Sequence, residues 1–494
     1  ETYRTMRSGH LIGMPQSASP AMRQAHIRMR TQNLTDASLV QAGIRPGVGG
    51  AVKINELIAR RRGKPYEIYH PEMDRILGNT YGLIVFQEQV DQLLETFAGY
   101  SANQAEVMRE AIHERRREMY VETLKEEVIQ RIVTNGFSRE IAVQVCELVA
   151  GFKGYGFAQG HALAFAEVSV RSIWCQQNFP TQYFAALLDS QPAGYYGPCT
   201  IANEARSRGV LLLHPDVNRS ELNFVVEDMD EAAMPDVPHG GIRVALQQIS
   251  AVAKDTLLRT LNQRIERPYR SFFDFIARVR PNRDELEQFI LAGAFDSMHP
   301  NRRALLWAIP SAYEFAELVR KNGDALDISW EEPSLPTNVE DFDIVEKAIR
   351  ERYVLDLDIE RHLMAFERER VAAKGVITTR EATQLAPGTK AFVVGNPIRL
   401  RFPPTSSGKR VMFFDLEDET GLLNVTCFDD VYQRYGHAII CSPYITLYGE
   451  AQDRDGHIAF LTERVYNYQP RFGDARKEVD VRELPITTAD FLVS

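Results

Sequence analysis

Paired cysteines are missing from this chain. Its five cysteines are scattered through 494 residues and form no Cys-x-x-Cys pair. That spacing argues against a structural zinc site and against the disulfide framework of a small secreted protein. A reducing, cytoplasmic environment is therefore expected. The five positions are Cys146, Cys175, Cys199, Cys427 and Cys441.

Long apolar runs are also absent, since no segment approaches the ~20 residues that span a bilayer. The residues after Glu1 do not form a signal peptide, because Arg4, Arg7 and His10 interrupt any apolar core. We expect no membrane partner. Because the chain begins with Glu and not Met, we expect it to be a piece of a longer protein.

Familiar catalytic motifs are lacking. The sequence contains no Ser–His–Asp motif, no His-Glu-x-x-His and no P-loop. The nearest approach to a carboxylate metal site is Asp415, Glu417, Asp418 and Glu419, which fall at a strand end and turn, where a solvated acidic turn is expected. No residue of this chain is assigned to catalysis or to metal binding.

The net charge of −10 disfavours nucleic acid as a partner when only the sum is considered. The distribution of charge is more informative, because arginines cluster at 60–62 and 115–117 while acid concentrates at 324–360. A basic groove on an acidic protein is compatible with this pattern. For 60–62 the alternative is a cationic last helical turn, which the helix dipole favours.

Residues 151–161 combine glycines, aromatic residues, Lys153 and His161 in a short loop between two helical patterns, 141–149 and 162–179. Glycine allows close approach of a ligand, and a helix starting after His161 presents free amides to a phosphate. The loop therefore suits a nucleotide triphosphate. The alternative is a tight helix–helix turn packed by Tyr155 and Phe157.

The sequence predicts a multidomain α+β protein. Helices dominate to about residue 206, and from 388 five strands follow, at 390–400, 410–416, 422–428, 444–450 and 458–466, with a short helix at 431–435. This is the strand order of an OB-fold, whose common ligand is single-stranded nucleic acid. Proteins and sugars are the alternative ligands. One ring of the pair Phe413 and Phe414 must point outward, beside the basic residues of the first hairpin.

Several ordered motifs resemble the alpha subunit of bacterial DNA polymerase III, a C-family polymerase. Arg45-Pro46-Gly47 resembles its R-P-G loop, and 81–90 resembles its T-x-G-x-x-x-Q-E-Q-V element. Residues 154–162 resemble its G-Y-G-F-x-x-S-H-A loop, and Leu291-Ala-Gly-Ala-Phe-Asp296 also fits. Residues 188–195 resemble the error-prone, accessory branch more than the main replicase.

The resemblance implies fingers at 1–206, a helix-hairpin-helix and clamp-binding-like domain at 207–325, an acidic linker and helix at 326–386, an OB-fold at 387–468 and a tail at 469–494. It places the triphosphate of the incoming nucleotide among basic residues of the fingers. The nucleotide-binding residues it implies are Arg109, Arg115, Arg116, Lys153, Tyr155, Phe157 and His161. We assign DNA binding to Arg45, Arg60, Arg61, Arg62, Arg399, Arg401, Lys409, Arg410 and Phe413.

The sequence departs from the family pattern at several positions. Glu110 and Glu114 stand where basic residues are usual, and an acidic side chain beside a triphosphate repels it. Gly160 replaces a usual Ser, and the turn at 250–253 lacks the G-x-G that approaches a DNA phosphate. A Q-x-x-[LM]-F clamp peptide is also missing between the second domain and the barrel, so contact with a sliding clamp would need an accessory protein.

The resemblance implies a DNA-directed DNA polymerase of error-prone type, with primer–template DNA, single-stranded template and dNTP as partners. Its Mg²⁺ ions would be held by palm aspartates that precede the fingers and lie outside this chain. The alternative is a non-catalytic, nucleic-acid-binding homologue whose fingers have lost nucleotide chemistry. Glu110, Glu114 and the altered hairpin turn motivate that alternative.

Overall fold

The computed structural model of the chain describes residues 1–44, 50–113, 118–152, 157–228, 240–322, 331–403, 408–454 and 456–471. Its contacts divide the chain into two compact units, Glu1–Trp174 and Cys175–Ser494. The finer domain boundaries stay predictions.

Helices form the regular structure described in the first unit, as the sequence predicts. Several of them begin with side chains that accept a hydrogen bond in the first turn, for example Ser19 from the Met22 amide and Asn33 from the Asp36 amide. Such caps satisfy amides that have no partner inside the helix. The described helices are α1 (Thr2–Ser8), α2 (Pro20–Met29), α3 (Leu34–Gly43), α4 (Gly50–Arg61), α5 (Pro71–Leu77), α6 (Gln87–Ala98), α7 (Ala102–His113), α8 (Glu118–Thr134), α9 (Arg139–Gly151) and α10 (Gln159–Asn178).

The described residues of this unit include two apolar cores. One lies among α5 to α9 and encloses Val90, Phe97 and Val128. The other joins α2, α3 and α4 to Phe86 and to Ala162 near the start of α10. The chain on both sides of the glycine-rich loop is therefore fixed by packing.

A buried polar network ties the N-terminal helices to α10. The His26 ring lies 3.0 Å from Thr31 Oγ1 and 3.4 Å from Ser17 Oγ, and Ser17 Oγ donates to Ser169 Oγ at 3.0 Å. Complete burial of His26 lowers its pKa to about 3, since the charged imidazolium would lose its hydration. The ring is therefore neutral at physiological pH and serves the fold.

The second unit combines helices with a small sheet and a barrel. Its helices are α11 (Pro180–Asp189), α12 (Pro198–Ser207), α13 (Lys254–Glu266), α14 (Phe272–Val279), α15 (Arg283–Leu291), α16 (Arg302–Asn322), α17 (Ile344–Leu355), α18 (Arg368–Ala372), α19 (Thr379–Ala382) and α20 (Asp429–Cys441). Its strands are β1 (Leu211–Leu213), β2 (Val225–Glu227), β3 (Gly241–Arg243), β4 (Val376–Ile377), β5 (Lys390–Arg401), β6 (Met412–Asp418), β7 (Gly421–Cys427), β8 (Ile445–Asp453) and β9 (Ile458–Asn467). In the small sheet, β3 lies between β1 and β2.

The Leu291–Asp296 motif has a structural explanation. Gly293 has a φ of +83°, and a Cβ there would lie 2.4 Å from Arg302 Nη2. Arg302 is buried and pairs with Asp296 Oδ2 at 2.6 Å and with Glu351 Oε1 at 2.7 Å. Phe295 packs edge-on against Phe272 and Phe275 of α14 and lies tilted against Phe289 of α15. The glycine makes room for the arginine that joins this helical region to α17.

The C-terminal part of the unit is the predicted barrel. β5 pairs with β6 on one side and with β8 on the other, and β6–β7, β7–β9 and β9–β8 complete the circle. Its interior contains Phe414, Leu416, Val425, Leu447 and Phe460. The helix between the third and fourth barrel strands is α20, which is longer than predicted.

The prediction of a solvated acidic turn at 415–419 is wrong for most of its members. Asp415, Glu417 and Asp418 are buried, because α12 lies over the outer face of β6. Tyr196 Oη donates to Asp415 Oδ2 at 3.1 Å, and Thr200 Oγ1 donates to Glu417 Oε2 at 2.9 Å.

Cations and further donors reach only part of this carboxylate cluster. Arg368 Nη2 donates to Asp418 Oδ2 at 2.8 Å, and Thr379 adds two more hydrogen bonds. Glu417 Oε1 has no hydrogen-bond partner within the described ranges. Burial raises the pKa of Glu417 to about 7. The carboxylates thus hold α12 against the barrel.

Candidate nucleic-acid interface

Four of the seven predicted nucleotide-binding residues fall outside the described residues. Arg115, Arg116, Lys153 and Tyr155 belong to that group, as does Arg45 among the predicted DNA-binding residues. Arg109, Phe157 and His161 are described, and the structure brings Phe157 and His161 together.

The Q-E-Q element is joined directly to the end of the glycine-rich loop. Phe86 and Phe157 form a parallel β-bridge, and the Gln87 amide donates to Phe157 O at 3.2 Å. The buried amide of Gln89 accepts from the Val85 and Phe86 amides and donates to Ile76 O and Thr80 Oγ1. Gln89 therefore fixes the start of α6, next to the segment that pairs with Phe157.

The helix after the loop begins earlier than predicted. α10 starts at Gln159, not after His161, and the Gln159 amide donates to both carboxylate oxygens of Glu88 at 3.0 Å. A carboxylate at a helix N-terminus is favoured by the helix dipole. The first amide of α10 is thus already paired with an anion, which corrects the expectation that this helix start presents free amides to a phosphate.

His161 is exposed and stands between two aromatic rings, 5.0 Å from Phe157 and 4.5 Å from Phe165 between ring centroids. Arg109 is more enclosed, with its side chain 12 % exposed and its Nε 2.8 Å from Asp91 Oδ1. Burial raises the pKa of Asp91 although Arg109 lowers it. His161 is positioned to meet a ligand, whereas the charge of Arg109 already has a partner.

The arginines at the end of α4 have partners inside the first unit. Arg60 Nε lies 2.9 Å from Glu56 Oε1 and its Nη1 donates to Tyr81 O, while Arg61 Nη2 lies 3.2 Å from Asp36 Oδ2. Arg62 Nε donates to Arg28 O at 3.0 Å. A role in DNA binding for these three stays a prediction.

The basic residues of the first barrel hairpin are arranged by a β-bulge. Ile398 pairs with Asp415 and Arg401 with Phe413, so two residues of β5 lie opposite the single residue Phe414. A bulge of this kind re-aims side chains beside it. Arg399 takes a φ of +55°, and both arginines reach the Tyr195 ring, while Leu400 between them packs against the barrel core.

Both arginines stack on one tyrosine that precedes α12. The Cζ atoms of Arg399 and Arg401 lie 5.2 and 5.8 Å from the centroid of the Tyr195 ring, within range of a cation–π interaction. Among the described residues neither guanidinium has a carboxylate within ion-pair distance. Arg401 Nε is buried without a hydrogen-bond partner in that same set. The pair is therefore available to an anion.

A second basic and aromatic group completes the hairpin. Arg410 Cζ lies 5.9 Å from the Tyr432 ring, and Phe402, which is exposed, packs edge-on against the same ring at 5.5 Å. Phe413 faces outward while Phe414 is buried, which confirms that one ring of the pair points out. Lys409 also lies in this hairpin. Three aromatic residues that sequence reasoning missed accompany Arg399, Arg401 and Arg410: Tyr195, Phe402 and Tyr432.

Two regions of the chain match known protein families. Residues 1–136 match the bacterial DNA polymerase III alpha subunit finger domain, and residues 209–305 match a helix-hairpin-helix motif. The chain is 34% identical over 499 aligned residues to the error-prone DNA polymerase of Symbiobacterium thermophilum, covering 94% of this chain and 46% of that protein. For error-prone DNA polymerase 1 of Rhizobium meliloti the identity is 28%, with 94% and 43% covered.

The chain is a relative of the bacterial C-family DNA polymerases. A third relative, the error-prone DNA polymerase of Brucella melitensis, is 30% identical over 91% of this chain and 42% of its own length. The chain spans less than half the length of these C-family relatives. Its finger and helix-hairpin-helix regions follow the order expected for the family, and the barrel lies after them.

The hairpin turn at 250–253, which lacks G-x-G, contains a residue in the left-handed conformation. Ala251 has a φ of +56°, a left-handed conformation that glycine adopts more readily. The next helix, α13, starts at Lys254, and the Ala253 amide before it donates to Glu285 Oε1 at 2.9 Å. The turn therefore combines a left-handed residue with an amide that is already paired with a carboxylate.

No group of three or more His, Cys, Asp or Glu side chains in the described ranges is arranged to hold a metal ion. None of the helices in those ranges combines the length and the apolarity needed to cross a membrane.

Proposed function

We propose that this chain supplies the nucleotide- and DNA-binding parts of a DNA-directed DNA polymerase of error-prone type, and that the first barrel hairpin receives single-stranded template. The observation that carries the proposal is the pair Arg399 and Arg401, stacked on Tyr195 without a carboxylate partner in the described structure. Cationic side chains beside outward aromatic rings suit a strand with a phosphate backbone and stackable bases.

The proposed reaction of the whole protein is template-directed nucleotidyl transfer to a primer 3′ end. The names of the relatives support this class of reaction, together with roles in DNA replication, repair and the response to DNA damage. In the proposal Mg²⁺ is held by carboxylates outside these residues, and the fingers hold dNTP beside Phe157 and His161. The setting is the bacterial cytoplasm, and an accessory protein provides contact with a sliding clamp.

Binding of a labelled oligothymidylate to the full-length protein, measured by fluorescence anisotropy between 50 and 200 mM salt, tests the DNA-binding part. Binding should weaken with salt, because each neutralised phosphate of a single strand contributes about −0.7 to the slope of log K against log salt. The double variant R399A/R401A should therefore lower the slope by about 1.4. Arg464→Ala, on β9 of the same barrel, is the matched control and should leave the slope unchanged. Affinity that is flat across salt would overturn the proposal.

A second candidate function is favoured by the contacts in the fingers. Glu88 occupies the start of α10, and Arg109 is paired with Asp91. These acidic partners suit a homologue that binds nucleic acid without nucleotide chemistry.

Primer extension by the full-length protein, with Mg²⁺ and with matched and mismatched primer ends, separates the two candidates. Extension of both primers supports the error-prone polymerase. No extension, with single-stranded DNA still bound, supports the non-catalytic homologue. In an active enzyme, Arg115→Ala should raise the KM for nucleotide, and unchanged kinetics would remove Arg115 from the predicted site.

A further inference from the structure

Tyr195 has no role in the sequence-based assignment of DNA-binding residues, yet both cationic side chains of the β5 bulge contact its ring. We propose that Tyr195 is a positioning residue, which holds Arg399 and Arg401 together as one site for the phosphodiester backbone of a single strand. The inference rests on the proposed function of the hairpin and deepens it.

The position of Tyr195 is fixed by its neighbour. The Tyr196 side chain is 2 % exposed, its ring packs edge-on against Tyr195 at 4.9 Å, and its hydroxyl donates to Asp415 Oδ2 at 3.1 Å. Asn424 of β7 donates to the other oxygen of Asp415. One helical turn later, Thr200 donates to Glu417. These bonds attach the chain at 195–200 to the outer face of β6. The Tyr195 ring is thereby held beside the β5 bulge, next to Arg399 and Arg401.

Stacking holds an arginine without using its hydrogen-bond donors. A cation–π contact involves the face of the guanidinium, while its N–H groups lie in the plane and point outward. Two such groups on one ring remain able to donate to phosphate oxygens, which planar guanidinium groups bind in a bidentate manner. An arginine held by a carboxylate, such as Arg61, has already used its donors in part.

The two positive charges of Arg399 and Arg401, held side by side, favour an anionic ligand. Two like charges against one ring repel each other, and among the described residues no carboxylate offsets them. The buried Arg401 Nε lacks an acceptor in the same set, and a buried donor without an acceptor lowers stability. The backbone strain at Arg399 also opposes this arrangement, because φ near +55° is unfavourable for a residue with a Cβ. A phosphate oxygen satisfies both the charge and the donor.

A double-mutant cycle in the full-length protein tests the proposal. The probe is a fluorescein-labelled oligothymidylate, and Kd and the salt slope are measured for wild type, Y195A, Y195F, R399A/R401A and the triple variant. We expect Y195A to weaken binding about tenfold and to lower the salt slope, and Y195F to retain wild-type values because the ring is kept. In the R399A/R401A background, Y195A should change Kd by less than about twofold.

The outcomes separate the two proposals. If wild type does not bind the oligonucleotide, the proposed function of the hairpin fails. If wild type binds and Y195A matches it, the positioning role of Tyr195 is wrong. An equal loss from Y195A in both backgrounds would also overturn it, since Tyr195 would then contact DNA directly.

Two further measurements complete the test. Thermal unfolding of each variant should match wild type within a few degrees, and a large loss for Y195A but not for Y195F would assign Tyr195 to stability instead. Unlabelled dTTP distinguishes the source of the phosphate. Displacement of the oligonucleotide only by excess unlabelled strand supports the strand backbone, whereas displacement by micromolar dTTP would assign the arginine pair to a free triphosphate.

Discussion

Arginine clusters occur in both units, and they differ in what their guanidinium groups contact. At the end of α4, Arg60 and Arg61 bind Glu56 and Asp36 at 2.9 and 3.2 Å. On β5, Arg399 and Arg401 stack on Tyr195, and no carboxylate among the described residues binds them. A run of basic residues in a sequence therefore does not define a binding surface. The partners of those residues decide whether their charge is available to a ligand.

The largest expected effect comes from an arginine that is wholly enclosed by partners. Arg302→Met leaves Glu351 buried without the cation that helps to lower its pKa, and Asp296 loses the same partner. His214 still lies 2.7 Å from Glu351 Oε1, but the buried carboxylate loses its guanidinium partner. Because breaking a buried ion pair is strongly unfavourable, we expect a loss of about 3 kcal/mol in the free energy of unfolding. Urea denaturation at pH 7 measures this loss.

The matched control for Arg302 is Arg320→Ala, since Arg320 pairs with Glu317 on an exposed helix surface. That change should leave stability close to that of wild type, because exposed ion pairs contribute little. A loss within 1 kcal/mol for Arg302→Met as well would contradict the division between enclosed and available arginines.

Glu417 extends the comparison to a charge of the opposite sign. Burial raises its pKa to about 7 in the fold, against an ordinary value of 4.5. Since the folded state keeps the proton that the unfolded state releases, stability should fall as pH rises from about 4.5 to about 7, by roughly 3 kcal/mol. Glu417→Gln removes this ionisation and keeps an acceptor for Thr200.

The measurement is urea unfolding of wild type and Glu417→Gln at pH 5, 6, 7 and 8. The difference between the two isolates Glu417, because the other titrating groups are common to both. A difference that does not change with pH would mean that Glu417 is already ionised at pH 5 in the fold.

The paired cluster itself should affect stability. R60A/R61A removes two ion pairs of partly buried side chains, and we expect a loss of about 1–2 kcal/mol in the free energy of unfolding. R399A/R401A should change stability by less than about 1 kcal/mol, because the loss of two cation–π contacts is offset by relief of the repulsion between two like charges.

Oligothymidylate binding to the same two double variants completes this comparison. The predicted contribution of Arg60 and Arg61 to DNA binding would appear as a lower salt slope in R60A/R61A. If R60A/R61A lowers the slope as much as R399A/R401A does, the carboxylate partners of an arginine within the fold do not determine whether it binds DNA.

The smallest expected effect concerns the backbone. Ala251 and Arg399 both adopt left-handed φ values, +56° and +55°, without being glycine. Ala251→Gly should relieve this strain and raise stability by about 0.5 kcal/mol, after allowance for the greater freedom of glycine in the unfolded chain. Thermal unfolding with Arg399→Gly as the companion variant measures it. A clear loss of stability in both would show that the left-handed conformation carries no strain.

Sequence reasoning recovered the elements whose signal is local. Alternation along 390–466 gave five strands and the outward ring of Phe413, because each strand carries its own pattern of buried and exposed positions. The fingers, the helix-hairpin-helix region and the relationship to the C-family polymerases were recognised from ordered motifs.

The features that were not predicted, or were predicted incorrectly, depend on contacts between segments that are distant in the chain. Asp415 and Glu417 read as a solvated turn because nothing near them in sequence shows that α12 covers them. The contact of Tyr195 with Arg399 is invisible for the same reason. The start of α10 was misplaced because its cap, Glu88, lies on another helix and not in the residues before Gln159.

The contact between α12 and β6 determines how this protein can be divided. A fragment cut at the first barrel strand would keep every strand pairing from β5 to β9, yet it would lose the hydroxyl groups of Tyr196 and Thr200, the amide of Asn203 and the guanidinium of Arg368. Its outer face would then expose carboxylates that the intact chain shields from water. A fragment that keeps these contacts must therefore begin before Tyr196.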